Sequence, residues 1–241
     1  VTEKIVEKLH DASQWTVNPQ DILTASREFE IQAASIADLR KASIHDLDHI
    51  AEKFIAQNTR TGAISGIGTG FVGWPGLIAD LPALFLLSLR TVHQVALCYG
   101  FDINDNSPET DRAFELEYMM RVFKIATASD KVQKQRSLSE LKDFEAGRTS
   151  EIYGTVMGDF TSKQISKNAT SYISRLIIKE IVERTIAKKA VGLVPGLGAV
   201  FSGGFNYVYL KDVGDASFMI YRERFLLDKK GRKRTVTIDI E

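Results

Sequence analysis

The chain has 241 residues, 44% apolar and 26% charged, enough to bury one large core or two small ones and too apolar for a disordered chain. A single cysteine, Cys98, excludes an intramolecular disulfide framework and fits a reducing compartment. The net charge of zero conceals a split: residues 1–160 carry 16 basic and 23 acidic side chains, residues 161–241 carry 15 and 8.

The first stretch, Val1 to Gln14, is amphipathic and charged and lacks the basic-then-apolar order of a secretory signal. Asn18-Pro19 pairs an N-cap residue with the proline favoured at the first helical position, which predicts a helix through about Ala34. Ser43-Ile44-His45-Asp46 has capping-box spacing ahead of Leu47, Ile50, Ala51 and Ile55. Ser107-Pro108 opens a helix through about Ala128, with Phe114, Met119, Val122, Phe123 and Ala126 on its apolar face. A longer helix is expected from about Ser162 to Lys189. Only Thr235-Val236-Thr237-Ile238-Asp239-Ile240 alternates like a strand, and no βαβ order occurs, so the fold class is all-α.

Two segments stand apart. Thr61–Leu89 holds one charge, Asp80, between Arg60 and Arg90; Ala190–Leu210 holds none, between Lys189 and Lys211. Each is long enough to suggest a membrane span, but Pro75-Gly76 and Pro195-Gly196 interrupt them and leave arms of about 14 residues, about 21 Å as helix. Broken apolar hairpins are the better reading, with a type II turn at each Pro-Gly. Pro75-Gly76-Leu77-Ile78-Ala79 matches Pro195-Gly196-Leu197-Gly198-Ala199 at an offset of 120 residues, as for an element used twice. Gly62, Gly66 and Gly70 stand four apart and predict one smooth, closely approached helix face. The layout is N-terminal amphipathic helices over 1–60, a first hairpin block over 61–100, connecting helices over 101–189, a second block over 190–228 and a basic tail over 229–241, together one domain.

These blocks carry a resemblance. Gly66-Ile67-Gly68-Thr69-Gly70 through Asp80-Leu81-Pro82-Ala83-Leu84 to Tyr99-Gly100-Phe101-Asp102 is similar to the N-terminal signature of the EcsC family. Pro195-Gly196-Leu197-Gly198-Ala199 through Phe205-Asn206-Tyr207 to Tyr221-Arg222-Glu223-Arg224-Phe225 is similar to its C-terminal one. The resemblance implies a bacterial protein of a family associated with an ABC-export locus, hence a membrane-transporter partner, and it transfers no catalytic activity.

Chemical motifs are sparse. Gly68-Thr69-Gly70-Phe71-Val72-Gly73 fits G-x-G-x-x-G but lacks the strand before it and the acid about 20 residues on, so no cofactor is expected. His45 and His49 share a helix face without a third ligand; a solvated acidic face is the better reading, and no metal is expected. Asp80 is either an N-cap for a helix starting at Leu81 or a charged functional site, with Arg90, Asn206, Arg222 and Arg224 as polar partners. Lys229, Lys230, Arg232, Lys233 and Arg234 form the densest basic run, suited to anionic lipid, with Trp74 as a membrane contact in the first hairpin. The sequence thus predicts a non-catalytic cytoplasmic protein, peripheral to the inner face of the cell membrane, accessory to transport or envelope homeostasis. Nucleic acid is disfavoured and no oligomeric state is implied. The rivals are a soluble helical domain holding a lipid or other apolar ligand between its hairpins and, last, an enzyme using Asp80.

Overall fold

The computed structural model describes residues 17–70, 74–103, 109–128, 130–155 and 198–238, together with Lys179 and Glu183. For 67–70, 74–80, 109–110, 148–155, 198–202 and 232–238 the description covers the backbone alone. Six α-helices and one 3₁₀ helix, Ile36–Lys41, make up these residues, and none is in a strand: α1 Pro19–Arg27, α2 Ile44–Gly70, α3 Trp74–Cys98, α4 Glu109–Ala126, α5 Lys131–Thr155 and α6 Gly198–Ile238. The expected helix over 162–189 lies outside the described residues, save Lys179 and Glu183, which are helical and exposed.

Local chemistry sets the helix starts. The Asn18 side chain accepts from the Gln20 N–H with Pro19 at the first position, and Ser43 Oγ accepts from the His45 N–H at 3.2 Å. The ends depend on packing. α1 stops at Arg27 rather than near Ala34, because Glu30 turns left-handed (φ 59°) and the Ile31 N–H bonds back to the Ser26 carbonyl. That reversal frees Ile36 and Leu39 to bury in the core. The alternating Thr235–Ile240 stretch is helical through Ile238, since a lone strand has no neighbour for its backbone groups while a continued helix supplies them.

The first apolar segment differs from the expectation in where Pro75 and Gly76 fall. α2 ends at Gly70 and α3 begins at Trp74, so Pro75 and Gly76 lie inside α3. Both lie in the first turn of α3, where a proline's missing N–H costs nothing, so Gly76 is helical and not in a type II turn. Asp80 stands within α3, not before its first residue, so it is not an N-cap. Pro195 and Gly196 lie outside the described residues.

α3 is the axis of the core. Its Leu81–Cys98 stretch is apolar enough to cross a membrane by length and composition, yet 72% of it is buried within the protein. α2 runs antiparallel to it: Asn58 donates to Thr91 Oγ1 at 3.0 Å, and Gly62 meets Leu87. α6 runs antiparallel to α2, with Asp48 opposite Arg222, Ile55 opposite Gly214 and Gly62 opposite Asn206 and Leu210. A Cβ on Gly214 would stand 2.4 Å from Ile55 Cγ2, and one on Gly62 would overlap Leu210. These glycines let the two longest helices close on each other. The polar groups of α3 turn inward and bond locally, Ser88 to the Leu84 carbonyl and Thr91 to the Leu87 carbonyl, both at 2.7 Å.

Candidate functional site where the two sequence blocks meet

The end of the first block and the end of the second, 120 residues apart in sequence, touch in space. α3 ends in a Schellman turn: the Gly100 N–H bonds to the Leu97 carbonyl at 2.9 Å and the Phe101 N–H to the Ala96 carbonyl at 2.9 Å. Gly100 sits at φ 84°, and a Cβ there would meet Arg40 Cγ at 2.5 Å. The turn drives Tyr99 and Phe101 into contact with α6, where Tyr99 lies 6.1 Å from the Phe225 ring and Phe101 5.8 Å from Tyr221.

Around these rings two partly buried ion pairs are held. Arg224 forks onto Glu115 of α4, with nitrogen–oxygen distances of 2.7 and 2.6 Å. Its guanidinium lies 3.9 Å from the Phe101 centroid and 4.2 Å from that of Tyr118. Arg40 also lies over Phe101, at 4.5 Å, and donates to the Gly100 carbonyl at 2.8 Å. Burial opposes the charge of Arg224, but the Glu115 carboxylate more than offsets it and holds the guanidinium above its ordinary pKa. Beside it, Glu145 of α5 is pushed up by burial, only partly countered by a hydrogen bond from Tyr118 and by the Arg224 charge.

The second pair is Asp48 with Arg222, whose Nε stands 2.9 and 3.1 Å from the two carboxylate oxygens. Tyr99 donates its hydroxyl to the same carboxylate at 2.7 Å, and burial followed by that acidic acceptor pushes the phenol up. Both carboxylates are engaged by these donors, which fixes α6 against α2, α3 and α4. Cys98 is fully buried, its thiol pushed up by burial, which rules it out as a reactive thiolate.

The expected polar partners are therefore dispersed. Arg222 pairs with Asp48, Arg224 with Glu115, and Asn206 donates to the Gly62 carbonyl at 3.2 Å; Arg90 is exposed. The Asp80 side chain lies outside the description, as do those of Trp74, Arg232, Lys233 and Arg234. Of the basic run, Lys229 is tied into the fold: it donates to the Ala42 carbonyl at 2.7 Å and lies over Phe225. Lys230 lines an open groove of about 690 Å³ between α5 and α6. His49 stacks on Phe29 and faces Glu52 at 3.8 Å; among the described residues no three His, Cys, Asp or Glu gather as a ligand set.

Arg40, Glu115, Tyr118 and Glu145 escape a reading of the sequence, Tyr99 enters it only through the signature, and Asp48 is assigned there to a solvated face. The expectation of a solvated acidic face includes Asp48, yet it stands three before Ala51 and seven before Ile55, both buried. That spacing is the signal that places it beside the apolar stripe.

The distribution of charge supplies a second feature. Because α2 and α6 are antiparallel and α3 returns along α2, the uncharged parts of Thr61–Leu89 and Ala190–Leu210 gather at one end of the bundle. The described exposed residues there are Thr61, Ile64, Ser65, Ala83, Gly204, Tyr207 and Val208. Ile64 is 71% exposed, Val208 57% and Tyr207 46%.

Comparison with known proteins accords with this layout. The chain is 25% identical over 231 residues to Protein EcsC of Bacillus subtilis (strain 168), covering 96% of this chain and 85% of that protein. It is 29% identical over 197 residues to Uncharacterized protein YdbA of the same organism, covering 81% of this chain but only 64% of that relative's length. No solved structure matches. The description of the EcsC protein family matches residues 1–226, a span that includes both blocks, and the chain belongs to that family.

Proposed function

We propose that the protein is a non-catalytic, peripheral membrane-associated accessory protein that meets a bilayer through the uncharged end of its bundle. The observation that carries this reading is the convergence there of two charge-poor segments with Ile64, Tyr207 and Val208 left exposed. Large apolar side chains held together in water mark a contact surface, and moving each into an apolar phase is worth on the order of 1–2 kcal/mol. A role beside a membrane transporter follows from the family's association with an export locus.

Flotation with vesicles of phosphatidylcholine and phosphatidylglycerol tests it. Binding should persist at salt concentrations that screen surface charge, and Ile64→Glu with Tyr207→Glu should abolish it while leaving the melting temperature near that of the parent. Absence of binding by the parent protein at any salt would defeat the reading.

A second reading, an apolar-ligand carrier, draws on a groove of about 640 Å³ between α2 and α6, where Ile55, Phe218 and Met219 line it beside the charged Glu52, Arg60, Lys211 and Asp215. Native mass spectrometry of the purified protein separates the two: a retained lipid favours the carrier.

A further inference from the structure

We infer that three exposed cations, Arg60, Arg90 and Lys211, form a collar that sets how deeply the bundle end enters a single leaflet of an anionic phospholipid bilayer. This rests on the membrane reading above and adds to it a depth and an orientation. In sequence Arg60 and Arg90 bound one segment, whose single charge is Asp80, and Lys211 closes the other, which has none. The fold brings them to one height. Gly62, two residues past Arg60, faces Leu210, which adjoins Lys211, and Arg60 and Lys211 line the same groove. Asn58 bonds to Thr91, which adjoins Arg90. Arg60 and Arg90 are exposed and pair with no acid among the described residues, while Lys211 reaches Asp215, one turn further from the uncharged end.

The dimensions fit one leaflet. From Arg60 to the end of α2 is about 15 Å of helix, from Lys211 back to the start of α6 about 20 Å, and from Arg90 back to Trp74 about 24 Å. Half of a hydrocarbon core is about 15 Å, with the headgroup layer beyond it. Long cationic side chains at that height place their heads among phosphates while their stems lie along apolar surface. The basic run cannot share this plane when the bundle stands on its uncharged end, since Lys229 is about 27 Å along α6 from Lys211. In that end-on orientation the basic end is directed away from the bilayer.

The test uses the same phosphatidylcholine–phosphatidylglycerol vesicles. Single nitroxide labels are placed at Ile64→Cys, Tyr207→Cys and Lys230→Cys, the buried native Cys98 remaining unlabelled. In the bound protein, the labels at 64 and 207 should become accessible to oxygen and shielded from a water-soluble nickel complex, while the label at 230 stays aqueous. Arg60→Gln, Arg90→Gln and Lys211→Gln should each weaken binding about fivefold at low salt. Neutralising Lys230, Arg232, Lys233 and Arg234 should change it little. Bound protein with an aqueous label at 64, or a shielded label at 230, overturns the end-on collar while membrane association stands. Full binding by the triple collar variant also overturns it. No binding by the parent removes both proposals.

Discussion

Gly100 is held in the left-handed region with Arg40 packed where a side chain would begin, so alanine there meets both a backbone and a steric penalty. Gly147 is the opposite case. The polar residues around it predict a loop, but it lies within α5 with nothing within 4 Å of where a Cβ would stand. Gly100→Ala should therefore destabilise by about 2 kcal/mol or more and Gly147→Ala should stabilise by about 0.5–1 kcal/mol, measured by urea unfolding. Shifts of the same sign would refute the contrast. Glu145 offers a pH-dependent counterpart. Its folded-state pKa is raised above the ordinary 4.5, chiefly by burial, so its contribution is present below that pH and lost as pH rises through the folded value. Glu145→Gln keeps an acceptor for Tyr118 and removes the charge. The substitution should raise the melting temperature at pH 7, with the gain shrinking toward pH 4. An unchanged or lowered value at pH 7 would mean that the Arg224 charge and the Tyr118 bond outweigh the burial.

Between elements, the Glu115–Arg224 pair decides how α4 meets α6. Both side chains are nearly buried, at 13% and 12% exposure, and the guanidinium is enclosed by aromatic rings. Glu115→Gln leaves an uncompensated cation among those rings and should cost about 3–5 kcal/mol. Replacing Glu115 and Arg224 together with Leu and Met should recover most of that loss, because the rings can close on an apolar pair of similar volume. A double variant as unstable as the single one would show that the pair acts through more than its charge. The register that makes this pairing explains what the sequence can and cannot reveal. Asn18, Pro19 and Ser43 announce their helix starts because a cap involves residues two or three apart. Arg222 and Arg224 are legible as polar groups in need of partners, but those partners lie 174 and 109 residues away, fixed only once helix directions are known. The left-handed turn at Glu30 that ends α1, the helical state of Gly76 and the interior placement of Asp80 in α3 are likewise not announced by the sequence pattern.

At the scale of the molecule, one long helix carries both distinctive surfaces. α6 begins among uncharged residues and ends in the basic run, and its 41 residues span about 60 Å. Bulk hydropathy marks Leu81–Cys98 as a span, and burial returns it to the core because α2, α4 and α6 surround it. What remains exposed and apolar is smaller: Val132, Met219 and Leu227 elsewhere on the bundle, and Ile64, Tyr207 and Val208 at the uncharged end. Trp74 opens α3 at that end, so in a Trp15→Phe background its emission should shift to the blue on vesicle addition. No shift in a sample shown to float with vesicles would place the contact elsewhere.

The α2–α6 pairing also has a consequence in time. Gly62 waits for Asn206, 144 residues later, before its carbonyl and its bare face are covered. At roughly 5–20 residues per second, a ribosome makes that stretch in on the order of 10 seconds. Throughout that interval the most apolar hairpin of the chain is already made, while the helix that covers one side of it is not. A nascent chain in that condition is sticky toward any apolar surface within reach, whether a holdase, a neighbouring chain or a bilayer. Slow arrival of its last partner helix is thus built into this topology, and the order of synthesis exposes the hairpin before the fold can cover it.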